Sequence, residues 1–438
     1  MDSNDQIIAS PSKAFFIDML TRDITLAECI LDLIDNSIHN AIRHQRFDVM
    51  QTLTPGTTKH FKNTHIHVSF DRASFEIVDN CGGISINDAQ KEVFRFGRAI
   101  PQKGFKGLGV YGIGMKRAFF KMGNLVELQS RTDKEEFKVT IDVKDWNAKP
   151  DDWTFAFADT KRMSHRKSDA GTRIHISELH DEVGQRFAGN TFRAEVHNRI
   201  ATTYALFIRC GIDITLNGEP VKHDLPDFAV SRDLGITRAK LKHDGVDILI
   251  LAGVTPASDR TPRGWYIFCN GRMVVDADKT HMTGWHNGRT FNPKYNHFLG
   301  WTLFASTDGS KLPWRTTKEG IDAETPVYRA ALNEMRALAK PILSFLAKQY
   351  PGEVAESVPE RELIDSAKRV SVLKIASGPS QTFKAHASVS AKTKSVRIQY
   401  DRPRSEVSKI AFSMNKPNMA AARVGEFTFE YYLKNVAK

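Results

Sequence analysis

Asp32-Leu33-Ile34-Asp35-Asn36-Ser37 is the stretch on which the reading of this 438-residue chain turns. It lies in a run, 13–47, where Leu26, Ile30, Leu33, Ile34 and Ile38 recur at three- and four-residue spacing. That is the period of an amphipathic helix. Asp32 and Asn36 are four apart, so they share one helix face. An asparagine amide oxygen is a neutral, hard ligand suited to Mg²⁺. An aspartate one turn earlier can orient a water as a general base. Alone, such a pair equally describes the solvated face of an ordinary helix.

Two more stretches lie downstream. His65–Phe70 and Ser74–Asn80 alternate apolar and polar residues and read as paired strands. The second leads into Ile77-Val78-Asp79-Asn80-Cys81-Gly82-Gly83-Ile84. An aspartate ending a buried strand can accept a hydrogen bond from an exocyclic amine, and glycines let a flat ring approach the backbone. The plainer reading is a strand-ending turn. Then come six glycines between Gly97 and Gly114, ending in Gly107-Leu108-Gly109-Val110-Tyr111-Gly112-Ile113-Gly114-Met115-Lys116. Glycines before a helix N-terminus present N–H groups and a favourable dipole to phosphates. The embedded GxGxxG does not directly follow a strand, so a dinucleotide fold fits poorly. No Lys-Ser/Thr follows, so this is not a Walker A loop. A surface loop is the bland alternative.

Order and spacing decide between these readings. A helix bearing asparagine, a strand ending Asp-x-x-Gly-Gly, a glycine-rich lid entering a helix, then Gly171-Thr172 opening a strand: this sequence resembles the GHKL ATPase family (gyrase, the ninety-kilodalton heat-shock chaperone, histidine kinases, MutL) over residues 13–180. LIDNSI and GVYGIGMK look most like the MORC-type branch. The resemblance implies an α+β, Bergerat-type α/β sandwich binding ATP with Mg²⁺ between helices and lid. It implies that Asn36 ligates Mg²⁺ and that Asp79 accepts from adenine, with Gly83 beside the base. Gly109, Gly112 and Gly114 would wrap the triphosphate, Lys116 would touch a phosphate, and Thr172 would support the adenine-site water. Asp32 departs from the pattern, since hydrolysing members usually carry glutamate there. Glu28, a further turn away, is a distant substitute. His39-Asn40 stands where Asp-Ala is common, and Cys81 replaces a frequent glycine.

A helix near 190–209 opens a second unit of strands (212–221, 246–254, 264–275, 300–308) and a helix from Pro326 to Gln349. Its layout resembles the transducer domain of gyrase, MutL and MORC-like proteins. There a loop lysine reaches the γ-phosphate, which points to Lys318, with Arg315 as rival. The expected domains are 1–188, ATP-binding; 189–350, transducer-like; and 351–438, a basic linker and small C-terminal module built from a strand, 395–401, and two helices.

Charge supports that division. The net charge is +11, yet Ser366–Gly425 alone carries 12 Lys or Arg against 2 acidic residues. Such a tail favours phosphates and suggests nucleic acid as partner. No run of 18 apolar residues occurs, which argues against a membrane span. The polar N-terminus argues against a secretory signal. Four scattered cysteines without CxxC fit a reducing, cytoplasmic setting and argue against a zinc knuckle. The leading expectation is an Mg²⁺-dependent ATPase working as an ATP-gated homodimeric clamp on nucleic acid. A chaperone-like ATPase and a nucleotide-binding switch with negligible turnover stand as alternatives. A histidine kinase fits less well, because no helix with a phospho-accepting histidine precedes the domain.

Overall fold

The computed structural model describes residues 11–52, 60–97, 106–109, 112–222, 225–256, 261–285, 292–348, 359–386 and 398–437. The chain divides into two compact units: residues 1–350 with 358–388, and residues 351–357 with 389–438.

The first unit carries two large sheets. The first is formed by β1 (Thr64–Phe70), β2 (Phe75–Asp79), β3 (Gly123–Arg131), β4 (Glu135–Asp142), β5 (Phe157–Arg162), β6 (Gly171–Leu179), β7 (Ile212–Leu216) and β8 (Glu219–Pro220). Their order is β5-β4-β3-β6-β2-β1-β7-β8, antiparallel throughout except for parallel β1 and β7. In β1, Thr64, Ile66, Val68 and Phe70 are buried while His67 and Ser69 are exposed, the alternation of a sheet covered on one face. The register sets Asp79 opposite Thr172 of β6 and Ile66 of β1.

The single helix expected over 13–47 is two: α1 (Lys13–Arg22) and α2 (Leu26–Gln45). The break is a capping box. Thr25 Oγ1 accepts the Glu28 N–H at 3.2 Å, and the Glu28 carboxylate accepts the Thr25 N–H at 2.6 Å. From there α2 buries Ile30, Leu33, Ile34, Ile38 and Ile42 against the sheet and the helix Gly114–Met122. After β2 come a short helical turn, Ile86–Asp88, and a π-turn, Ala89–Val93. β5 starts only at Phe157, and Trp153 and Phe155 before it pack on the Trp146 ring, with centroids 5.6 and 5.5 Å away.

The strand at 212, which the sequence groups with the second unit, lies in the first sheet as β7. Next come β9 (Phe228–Val230), β10 (Thr237–His243), β11 (Val246–Val254), β12 (Gly264–Cys269), β13 (Arg272–Asp278) and β14 (Phe298–Ala305). Five of them form the second sheet, in the order β10-β11-β14-β12-β13. Every residue of β12 and β14 is buried, as in a sheet covered on both faces. The helix Pro326–Ala347 packs on β10, β11 and β14. Residues 359–386, read from sequence as part of the linker, belong to the first compact unit. Their strand β15 (Lys368–Val370) pairs with β9, and Gln381 pairs with Arg238.

In the second unit, the described residues hold two helices, Arg404–Ser413 and Ala421–Asn435. Of the strand expected over 395–401, residues 395–397 lie outside the described residues, and 398–401 form no strand. No described helix is long and apolar enough to cross a membrane.

Candidate functional site

The middle of α2 lines a cavity with Asp32, Asn36, His39 and Asn40. Opposite stand Gly83 and Ile84 after β2, the loop residues Gly109 and Gly112, and the start of the helix Gly114–Met122. A second-sheet loop closes the wall with Thr316 and Lys318. Three stretches distant in sequence thus converge, together with the loop lysine from the following layer. Arg315 and Glu28 are not among the lining residues, and Glu28 is occupied as the α2 cap.

Asn36 faces the cavity, and none of the described residues hydrogen-bonds its amide. The donor set therefore suits a hard cation carried in with a ligand. No group of three acidic, His or Cys residues that could hold a metal alone occurs among the described residues.

Asp32 is buried and engages one cation. Arg117 Nε donates to its Oδ2 at 2.6 Å, and Nη2 lies at 2.5 Å. Burial pushes its carboxyl above the usual range, against the pull of Lys318 and Arg117. Gly114 makes this approach possible, since a Cβ there would stand 3.0 Å from the Asp32 carboxylate.

Asp35 is treated otherwise. Its Oδ1 accepts from Tyr204 Oη at 2.9 Å and Arg272 Nε at 3.1 Å, and its Oδ2 accepts from Lys318 Nζ at 2.7 Å. Burial alone would raise its carboxyl, but Arg272 and Lys318 overcome that and hold it below the usual range. Tyr204 also donates to Leu31 O at 2.7 Å. Sequence reasoning missed Tyr204 and Arg272. Each sits in an unremarkable apolar stretch, and only tertiary folding brings it to α2.

Asp79 and Thr172 are buried and, unlike Gly83, are not among the residues that line the cavity. Asp79 Oδ2 accepts from Ser37 Oγ at 2.6 Å, and its Oδ1 from Cys81 N at 2.9 Å and Thr172 N at 3.3 Å. Burial raises its carboxyl despite these donors. Thr172 Oγ1 lies 3.3 Å from Ser130 Oγ, which also accepts from Ile84 N at 2.7 Å. Gly83 has φ +69°, and a Cβ there would fall 2.0 Å from Arg131 O, so no larger residue fits.

The departures noted in the sequence have structural work. His39 Nδ1 accepts the Gly109 N–H at 3.0 Å and so ties α2 to the glycine-rich segment. Lys116 lines the cavity, but its ammonium donates to Val93 O at 2.9 Å and also to Gly112 O. It therefore holds the π-turn and the glycine loop together. Gly104, Val110 and Tyr111 lie outside the described residues.

Residues 24–172 match the family model described as Histidine kinase-, DNA gyrase B-, and HSP90-like ATPase. A search of curated proteins finds no match to the chain. The family match supports placing this segment in the GHKL superfamily of ATP-binding ATPases, with its mixed α/β architecture. It spans Asp32, Asn36, Asp79, the glycine loop and Thr172, and it ends well before Lys318.

Proposed function

We propose that this protein is an Mg²⁺-dependent ATPase of MORC-like character, in which nucleotide gates a homodimeric clamp acting on nucleic acid in the cytoplasm. One observation supports this reading above the others: Lys318, on a second-sheet loop, lines the same cavity as Asn36 and Asp32. A lysine so placed can sense the far end of a triphosphate and couple its presence to the second sheet.

In this reading Asn36 holds the Mg²⁺, which spreads the charge of the phosphates. Asp79 receives the adenine amino group, and Gly83 gives the ring backbone-close access. Gly109, Gly112 and Gly114 carry the triphosphate, and Lys116 sets that loop from behind. Thr172 and Ser130 complete the base end. Asp32 orients the attacking water, and Lys318 stabilises charge on the leaving phosphate. The tail's charge motivates the nucleic-acid partner.

A second reading, a nucleotide switch with negligible turnover, is favoured by one feature. Asp32 is a methylene shorter than glutamate and is already bonded by Arg117. Phosphate release measured by malachite green, with and without duplex DNA, separates the two. Release stimulated by DNA supports the clamp; tight ATP binding with no release supports the switch. Loss of Mg-ATP binding in Asn36→Ala is expected in both, and retained binding there would overturn the site itself.

A further inference from the structure

We propose that Asp35 is the resting partner of Lys318, and that Arg272 and Tyr204 are positioning residues that make this partnership exchangeable, keeping Asp35 satisfied when Lys318 turns to a bound triphosphate. The inference rests on the reading of Lys318 as the phosphate-sensing lysine.

The geometry divides the labour between two oxygens. Oδ1 of Asp35 carries the Tyr204 hydroxyl and the Arg272 guanidinium, whereas among the described residues Oδ2 carries Lys318 alone. Asp35, Arg272 and Lys318 side chains are only 1 %, 3 % and 8 % exposed, so a departing partner leaves behind a carboxylate with little access to water. A buried carboxylate with one cation would hold that cation fast. A buried carboxylate with two can release one and remain paired.

Charge count points the same way. Asp32 and Asp35 face Arg117, Arg272 and Lys318, which leaves one cation in excess at the cavity wall. The cavity that Lys318 lines with Asn36 and the glycine loop is where an anion would take up that charge.

The backbone is meanwhile held. Lys318 sits at φ +57°, its N–H donates to Arg315 O at 2.8 Å, and its carbonyl accepts from Arg272 Nη1 at 2.6 Å. Arg272 therefore grips both ends of the exchange, the carboxylate that is left behind and the loop that carries the lysine. Only the four-carbon stem of Lys318 has to swing.

The test measures Mg²⁺-dependent affinity for ADP and for a non-hydrolysable ATP analogue, and takes the ratio. A Lys318 contact with the terminal phosphate is charge-assisted, so Lys318→Met is expected to lower the analogue-over-ADP preference by about tenfold. Arg272→Met leaves Lys318 as the sole cation on Asp35, and the preference should fall to the Lys318→Met level with ADP affinity unchanged. In the double variant no further loss is expected, whereas Arg272→Lys should restore most of the preference. Tyr204→Phe, a milder change, should lower it about two- to threefold and serves if Arg272→Met does not fold.

An unaltered preference in both Arg272→Met and Tyr204→Phe, beside a lowered one in Lys318→Met, overturns the proposal and leaves the role of Lys318 standing. Losses that add in full in the double variant also overturn it. A normal preference in Lys318→Met removes the reading of the lysine and the exchange together.

Discussion

Asp32 hydrogen-bonds to one cation; Asp35, three residues further along α2, hydrogen-bonds to two cations and a phenol. Both carboxylates are buried, and burial raises both. At Asp32 it prevails, while at Asp35 the partners prevail. One helix thus carries a carboxyl that burial shifts up beside one that its cations shift down. The first suits proton transfer with water, and the second suits holding layers together. Asp35 is where α2, the segment around Tyr204, β13 and the Lys318 loop meet.

The largest effect that would sharpen this contrast is on turnover. Asp32→Asn should keep ATP binding and lower the hydrolytic rate by roughly 10²–10⁴-fold, the usual worth of a general base. An unchanged rate would remove Asp32 from the chemistry, and Glu28 could not replace it from its cap. Rate against pH gives a second reading of the same residue. Only the ionised carboxylate can accept a proton, and its raised position moves the acid limb of kcat/KM above the ordinary aspartate value of about 3.9. A limb at or below that value would break the assignment.

Stability should invert the order of the two residues. Removing one member of a fully buried ion cluster costs about 3–5 kcal/mol, so Asp35→Asn should lower unfolding free energy in urea by that much. For Asp32 the linkage has the opposite sign. A carboxyl raised in the folded state contributes stability below its unfolded value, and that contribution is lost as pH rises through its folded value. At neutral pH, Asp32→Asn should therefore cost less stability than Asp35→Asn. Equal costs at the two positions would erase the distinction.

Base recognition offers a smaller contrast. Asp79 accepts from three donors and can accept from adenine, but it would meet the keto oxygen of guanine with like polarity. That mismatch costs about 1–3 kcal/mol, roughly a 5- to 150-fold preference for ATP over GTP in a competition assay. Equal competition would take Asp79 out of the base site.

How much of this the sequence discloses depends on whether the chemistry is local. The helix that bears Asn36, the strand that ends at Asp79 and the glycines before the next helix are legible because each element fixes a residue type at a set spacing. The capping box at Thr25 and Glu28 is equally local, and attention to it divides the first helix correctly. Tyr204 and Arg272 leave no such trace, since their roles exist only across layers 169 and 237 residues apart in sequence. β10 escapes a reading of the sequence because Lys240, Lys242 and His243 break its apolar run, although its first residues are buried against β11. Residues 359–386 read as linker because a three-residue strand with two basic residues has no period to detect.

The placement of β15 reshapes the test of the tail, the smallest effect expected. Lys368 and Arg369 count among the tail's basic residues, yet they lie on β15 in the first unit, and Arg369 Nε donates to Asp227 at 2.9 Å. The charge available to phosphates is better sought beyond residue 388. Residues 389–438 hold ten Lys or Arg against four acidic residues, among them Arg402, Arg404 and Lys409, with Lys392, Lys394 and Arg397 outside the described residues. Removal of 389–438 should weaken binding to all duplex sequences alike, because binding to phosphates carries no base readout. It should also flatten the fall of log affinity with log salt by about 0.9 for each phosphate that is no longer neutralised, or roughly 4 for four or five phosphates. ATP binding should persist, since every lining residue of the cavity lies in the first unit. DNA affinity and salt slope that survive this truncation would move the DNA-binding surface to the first unit, and a matching loss in a longer deletion from residue 359 would locate it on β15.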